Sequence, residues 1–317
     1  MKKYDIITLG GAVVDAFIDT GISQNKKQIC IPMGAKILVE SARFATGGGG
    51  TNSAVSFSKL GLKTGFIGKL GEDESNHLIL SELKKNKIDF LGAFEKESTG
   101  FSIILDSNQH NRTILINKGS NDTLEFSEIP ISKIKTNWLY FSSAINKTLQ
   151  TQITLAKWAK EKGIKVAYNP SYYLTVKGVK KIRKLLKNVD VLILNEEEAQ
   201  GLVPNGDPFK SLHALGPKYV CITQGKKGNK VSDGLKTFHS LPRKIKVRER
   251  TGAGDAFASG FVTGLIKFND LKKAIALGSL NAESVIQIPG AKNGLLTWPE
   301  AKKQLEKEKI KITDISE

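Results

Sequence analysis

Short apolar runs and amphipathic stretches alternate along most of this chain. "YDIITLGG" is a compact apolar run closed by glycines and predicts a buried strand. "TNSAVSFSKLG" follows with small and apolar residues on one helical face. "KTGFIGKLG" predicts the next strand and "ESNHLILSELKKNKI" an amphipathic helix. The rhythm breaks at "STGFSIILDSNQHNRTILINKGS", two β runs around the polar turn "DSNQHN", which predict a hairpin. It resumes through "NWLYFSS", "TQITLAKWAKEKG", "KVAYNP", "GVKKIRKLLKNV", "DVLILN", "EEEAQGL" and "KYVCITQG", read alternately as strand and helix. Two long helices are expected between Asp255 and Gln287, and "EAKKQLEKEKI" predicts a charged terminal helix.

Such alternation implies an α/β fold: a mostly parallel central sheet with helices on both faces, hence three layers. Ligands in these sheets gather at the carboxyl ends of the strands. Two regions stand outside the alternation, the β-rich "QICIPMGAKILVES" and the hairpin near residue 105. Segments of about 12–46 and 95–119 are therefore expected to form a small β sheet beside the main body, within one domain spanning 1–317.

Composition narrows the class. The 317 residues are 40% apolar and 25% charged, ordinary for a globular protein, with no apolar run approaching a membrane span. Lys2 and Lys3 precede an apolar stretch, but Asp5 and Asp15 interrupt it, so the start reads as a buried strand rather than a leader. Cys30 and Cys221 are too few for a disulfide framework or a thiolate metal site, and the expected location is cytoplasmic. The net charge of +17 raises the possibility of a nucleic-acid-binding module. However, only six of the 48 basic residues are arginines, and the lysines lie along solvated helical faces. That reading ranks lowest, and the charge signifies a general attraction for anionic ligands.

Chemistry concentrates in "RERTGAGDAFASGF". Phe257, Phe261, Leu265 and Phe268 keep helical spacing, so a helix starts close to Asp255. Gly252 and Gly254 permit a tight turn with exposed N–H groups, an anion hole at the positive end of the helix dipole. Asp255 could be a plain N-cap, but a cap needs no flanking glycine pair. A carboxylate beside an anion hole suits phosphoryl transfer, with Asp255 accepting a hydroxyl proton. Gly260 and Gly264 would let that helix pack closely on a neighbour. A second cluster, Gly47 to Gly50 in "GGGGTNSAVSFSKLG", allows close backbone approach to a ligand, with Asn52 as donor and acceptor. In "DVLILNEEEAQGL", Asn195 and Glu198 stand one helical turn apart. They could hold water around Mg²⁺, or simply form a helix cap. The chain has neither a dinucleotide fingerprint nor a P-loop, so a phosphate donor must be held by other means.

Taken in order, these segments resemble the ribokinase family, the phosphofructokinase-B type carbohydrate and nucleoside kinases, over nearly the whole chain. "GGGGTNSAVSFSKLG" resembles the family's N-terminal signature, "ERTGAGDAFASGF" its C-terminal one, "LNEEEA" its N-x-x-E motif and "TQGKKG" its nucleotide-site turn. The resemblance implies a Rossmann-like domain with a β-sheet lid and an ATP-dependent kinase acting on a sugar hydroxyl. It makes Asp255 the base, and Gly252, Ala253 and Gly254 the anion hole. Asn195 and Glu198 would organise Mg²⁺, while Thr223, Gly225 and Gly228 would line the nucleotide pocket with Asn281 near the adenine. Asp15, Gly48 and Asn52 would bind substrate hydroxyls. A nucleoside kinase and a sugar-phosphate kinase are the alternatives, the latter with Arg112 or Lys118 as candidate phosphate ligands. Glu249 and Arg250 stand where members often have Asp-Thr, and Gly49 where ribokinases often have Lys. The first departure leaves a monovalent-cation requirement open, and the second leaves the acceptor open. The likeness also implies a homodimer through the lid.

Overall fold

A computed structural model describes residues 3–23, 28–107, 112–307 and 310–316. The chain enters through β1 (Ile6–Leu9) and departs for β2 (Val13–Asp19) and β3 (Ser41–Gly47), an antiparallel pair. Helix α1 (Gly49–Lys59) returns it to β4 (Thr64–Ile67), which lies parallel to β1. After β5 (Lys69–Gly71) come α2 (Ser75–Lys85), β6 (Asp89–Phe90) and β7 (Ala93–Glu95). The hairpin β8 (Gly100–Asp106) and β9 (Arg112–Asn117) then adds to β2, giving a four-stranded sheet in the order β3-β2-β8-β9.

The main sheet continues with β10 (Trp138–Phe141), α3 (Asn146–Glu161) and β11 (Lys165–Tyr168). Short helices α4 (Tyr172–Thr175) and α5 (Arg183–Leu186) lead to β12 (Val191–Asn195), α6 (Glu196–Leu202), α7 (Pro208–His213) and β13 (Tyr219–Thr223). Antiparallel β14 (Asn229–Ser232) and β15 (Thr237–Ser240) precede α8 (Ala253–Phe268), α9 (Leu271–Val285), α10 (Trp298–Lys307) and β16 (Ile312–Asp314). The main sheet thus has ten strands in the order β16-β15-β14-β13-β12-β11-β10-β1-β4-β6. It is parallel from β13 to β6 and antiparallel beyond β13. The expected α/β sandwich with a small accompanying sheet is what forms.

Strand alternation divides the core in two. Leu9, Leu139, Phe141, Leu192 and Leu194 face the layer carrying Leu155, Leu185 and Ala199. Ile6, Tyr140, Ala167, Ile193 and Cys221 face Phe57, Phe257 and Phe261 on α1 and α8. Successive residues of one strand serve opposite faces, so apolar runs without alternation mark strands buried on both sides. Gly260 and Gly264 leave no room for a Cβ against Leu277 and Ala274, and α8 therefore packs directly on α9.

Two sequence expectations change. No strand runs between residues 29 and 40, where Pro32 and left-handed Gly34 interrupt the chain and Met33 and Leu38 are exposed. "GVKKIRKLLKNV" forms a 3-10 turn at Val179–Lys181 and only one turn of helix after it. Ile182, Leu185 and Leu186 are buried as its spacing predicted, but Gly178 offers no capping side chain.

Candidate active site

The carboxyl ends of the parallel strands converge on one cleft. Asn195 ends β12 and pairs in register with Thr223, the last residue of β13, while Asn169 directly follows β11. These residues, with Glu198, Gly252, Gly254 and Asp255, line a cavity of about 200 Å³. A larger cavity of about 780 Å³ adjoins it, sharing Thr223 and Gly254.

Helix α8 begins at this junction. Gly252 adopts a left-handed conformation (φ 80°), and a Cβ there would lie 2.6 Å from the carbonyl oxygen of Ala291, so only glycine fits. The Ala253 N–H donates to the carbonyl of Arg250 at 3.2 Å and is spent on the turn. Among the described residues, no acceptor faces the N–H groups of Gly252, Gly254 or Asp255. Helix geometry leaves the first amides without partners, and their partial positive charge suits an anion. The expected anion hole therefore has free donors at Gly252 and Gly254 but not at Ala253. Around Gly254 the space is open, with nothing within 4 Å of where a Cβ would stand.

On the opposite wall, the glycine run threads between neighbours that admit no side chain. Gly48 (φ 94°) lies against Gly11, Gly50 against Gly10 and Gly49 against Ser142. This brings the first turn of α1 beside α8: Asn52 Nδ2 donates to Asp255 Oδ2 at 3.0 Å, and a Cβ on Gly49 would lie 3.7 Å from Asp255 Oδ1. The Asp15 carboxylate sits directly over Gly47 and accepts a hydrogen bond from Ser102. Asn52 and Asp255, far apart in sequence, are thus in contact, and Asp15 and Asp255 lie against neighbouring positions of the same glycine run.

Burial is the dominant influence on both carboxylates in the small cavity. It raises Asp255 to about 6, against the opposing effects of the Asn52 hydrogen bond and the Lys292 charge. It raises Glu198 to about 7, reinforced by the nearby negative charge of Asp255. Asp15 is likewise raised by burial and held back by Ser102 and Lys292.

Asn195 and Glu198 are a helix cap as well as cavity residues. Asn195 Oδ1 accepts from the Glu198 N–H and Glu198 Oε2 from the Asn195 N–H, both at 2.8 Å. This reciprocal box fixes the Glu198 carboxylate at the cavity wall. Two carboxylates, Glu198 and Asp255, among amides do not make an all-protein metal cage. They fit a hydrated Mg²⁺ held partly by donor phosphates.

The larger cavity contains Gly225, Gly228 and Asn229 from the β13–β14 turn, Ala253 and Phe257 from α8, and Ser279, Ala282 and Glu283 from α9. Lys226, Arg243, Lys244 and Arg250 also line it, with Glu283 its single acid, ion-paired to Arg243 at 2.5 Å. Its size and positive charge fit a nucleotide whose phosphates point toward Gly254.

Some expected residues lie elsewhere. Asn281 is fully buried and does not line the nucleotide-sized cavity. Its Nδ2 donates to Ser56 Oγ and the Ala256 carbonyl, and its Oδ1 accepts from the Leu296 N–H. Lys118 Nζ sits over the Tyr173 ring and near its hydroxyl, and the Arg112 side chain lies outside the described residues. Glu249 accepts from the Thr251 hydroxyl and the Gly290 N–H, bracing the α8 turn. Sequence reasoning missed Asn169 and Lys292. Asn169 had a signal, standing before Pro170 at a strand's carboxyl end; Lys292 had none.

Known proteins resemble this chain over most of its length. The pfkB family carbohydrate kinase pattern matches residues 12–298. A ribokinase of Lactococcus lactis is 30% identical over 287 residues, covering 88% of this chain and 92% of that one. An ATP-dependent 6-phosphofructokinase of Thermoanaerobacterium thermosaccharolyticum is 27% identical over 289 residues, covering 87% and 86%. The ribokinase of Arabidopsis thaliana, solved with ribose and ATP, shares the fold with a TM-score of 0.83 at 22% identity, covering 96% of this chain and 99% of that one. With its glycine run, its α8 turn and this family-wide match, the chain belongs to the pfkB family of carbohydrate kinases.

Proposed function

We propose that this carbohydrate kinase transfers the γ-phosphoryl group of ATP to a sugar hydroxyl, with Asp255 as the general base. The observation that carries the reading is the position of Asp255. Its carboxylate, oriented by Asn52, stands between the glycine-lined acceptor wall and the unpartnered amides of α8. ATP would occupy the larger cavity, between Gly225, Gly228 and α9, with its terminal phosphate against Gly254. There the free N–H groups stabilise charge on the moving phosphoryl while Asp255 accepts the hydroxyl proton. Asp15 and Asn52 orient the acceptor. Mg²⁺, when bound, neutralises charge across the donor phosphates, and Glu198 and Asn195 are the residues that would hold its waters.

ADP release, screened over free pentoses, free hexoses, their phosphates and nucleosides, tests this reading. Turnover with a free sugar is the expected result. Turnover confined to phosphorylated sugars or nucleosides would replace the acceptor, and no transfer to any of them would overturn the reading. Homodimer formation is proposed with it: on the four-stranded sheet Phe44, Ile114 and Ile116 are each more than half exposed, a surface suited to a second copy. Sedimentation at the monomer mass would reject that part.

A further inference from the structure

Lys292 lies in the segment between α9 and α10, yet its side chain is only 10% exposed. A lysine so enclosed needs partners to remain charged. Its Nζ donates to Thr46 Oγ1 and to Glu82 Oε2, each at 2.6 Å, and the Thr46 hydroxyl also bonds Glu82. Its backbone carbonyl accepts from Lys59 Nζ at 3.3 Å. One residue therefore links β3, α2, the end of α1 and the segment before α10.

What lies on either side gives the arrangement its meaning. The residue after Thr46 is Gly47, directly under the Asp15 carboxylate, and Gly49 two positions on faces Asp255. The residue before Lys292 is Ala291, whose backbone closes against Gly252. We propose that Lys292 is a positioning residue for phosphoryl transfer: by tying the end of β3 to the segment behind Gly252, its ammonium sets the spacing of Asp15 and Asp255. The proposal deepens the reading of Asp255 as base and rests on it.

Charge follows from the same geometry. Asp255 is faced by the Asn52 amide from α1, the Tyr140 phenol from β10, Glu198 from α6 and Lys292. Of these, Lys292 alone favours the ionised base through its charge. Asp15, faced by Ser102, is acted on by the same ammonium. Glu82 is the ammonium's direct counter-ion, so loss of Lys292 would also leave Glu82 without its ion-pair partner.

The test compares Lys292→Met, Lys292→Arg and Thr46→Val with wild type by amide hydrogen exchange and by the pH profile of kcat/KM. For Lys292→Met, exchange should speed up in residues 41–49 and 289–296, and the acceptor KM should rise while the ATP KM holds. The acidic limb of kcat/KM should move up by about one pH unit, a loss of about fivefold at pH 6 that narrows toward pH 8. Lys292→Arg should restore most of both. Thr46→Val keeps the ammonium but removes the hydroxyl's bonds to Lys292 and Glu82, so it should loosen residues 41–49 with the limb in place; it also serves if the Met variant fails to fold. Unchanged exchange in Lys292→Met or Thr46→Val overturns the proposal, as does, in Lys292→Met, a loosened strand with the limb and acceptor KM unmoved. An active Asp255→Asn variant would instead defeat the base assignment, leaving exchange to judge the tie.

Discussion

Replacing Asp255 with Asn tests function and energetics together. The carboxylate is held at about 6 in the folded chain against an ordinary 3.8, chiefly by burial. An acid whose pKa is raised on folding stabilises the fold at low pH, and that contribution is lost as pH rises through the folded value. A rise of about two units corresponds to about 3 kcal/mol, an upper bound here because the cavity opens toward solvent. Asn carries no charge to desolvate and can still accept from Asn52 Nδ2. At pH 7 the variant should therefore be as stable as wild type or more so, by up to about 3 kcal/mol. The difference should vanish below about pH 4, where both forms are neutral. Activity should move the opposite way, falling by about 10²–10⁴-fold with loss of the base. Urea unfolding between pH 4 and 8, alongside an ADP-release assay, measures both. Wild-type turnover in the variant would refute the assignment of the base. An inactive variant less stable than wild type at pH 7 would refute the burial argument.

Three further outcomes follow from particular contacts. Gly254→Ala places a methyl group in open space at a helical position, so the melting temperature should hold or rise with a gain of up to about 1 kcal/mol, while the ATP KM rises and kcat falls; unaltered kinetics would remove Gly254 from the phosphate site. Because Glu198 is raised to about 7, protons compete with Mg²⁺ there, and the Mg²⁺ concentration for half-maximal rate should climb as pH falls below 7. Flat Mg²⁺ dependence from pH 6 to 8 would speak against Glu198. Asn281→Ala removes a buried amide with three hydrogen bonds and should cost about 2–4 kcal/mol with little change in ATP KM. Intact stability with a weakened ATP KM would return Asn281 to the nucleotide site.

Local signals were the readable ones. The Gly-x-Gly before Asp255 and the four-glycine run before Asn52 are backbone requirements, and backbone requirements leave marks in the sequence. The strand ends carrying Asn195 and Thr223 were readable too, since apolar runs bounded by polar residues define them. Lys292 was not, because nothing in "PGAKNG" distinguishes it from the many solvated lysines; its burial arises from Glu82 and Thr46, both remote in the chain. Asn281 was expected beside the adenine through family likeness, although its own helix argued otherwise. It lies four residues from Leu277 and from Val285, both fully buried, and so on the core-facing side of α9. The empty stretch before β3 shows the opposite failure: apolar residues with no surface to cover them form no strand.

The polar seam between α1 and the last two long helices bears on how the chain reaches its working state. Ser56 meets Ser259 at 2.6 Å and Asn281 at 3.0 Å, contacts spanning 203 and 225 residues of sequence. Asn52 meets Asp255 across another 203. Closing such long loops is slow, and on a ribosome the first partner waits until the second has been synthesised. Enzymatic competence should therefore emerge late in refolding, after the parallel strands have paired, and a chain ending before α9 should remain inert however well its sheet has formed.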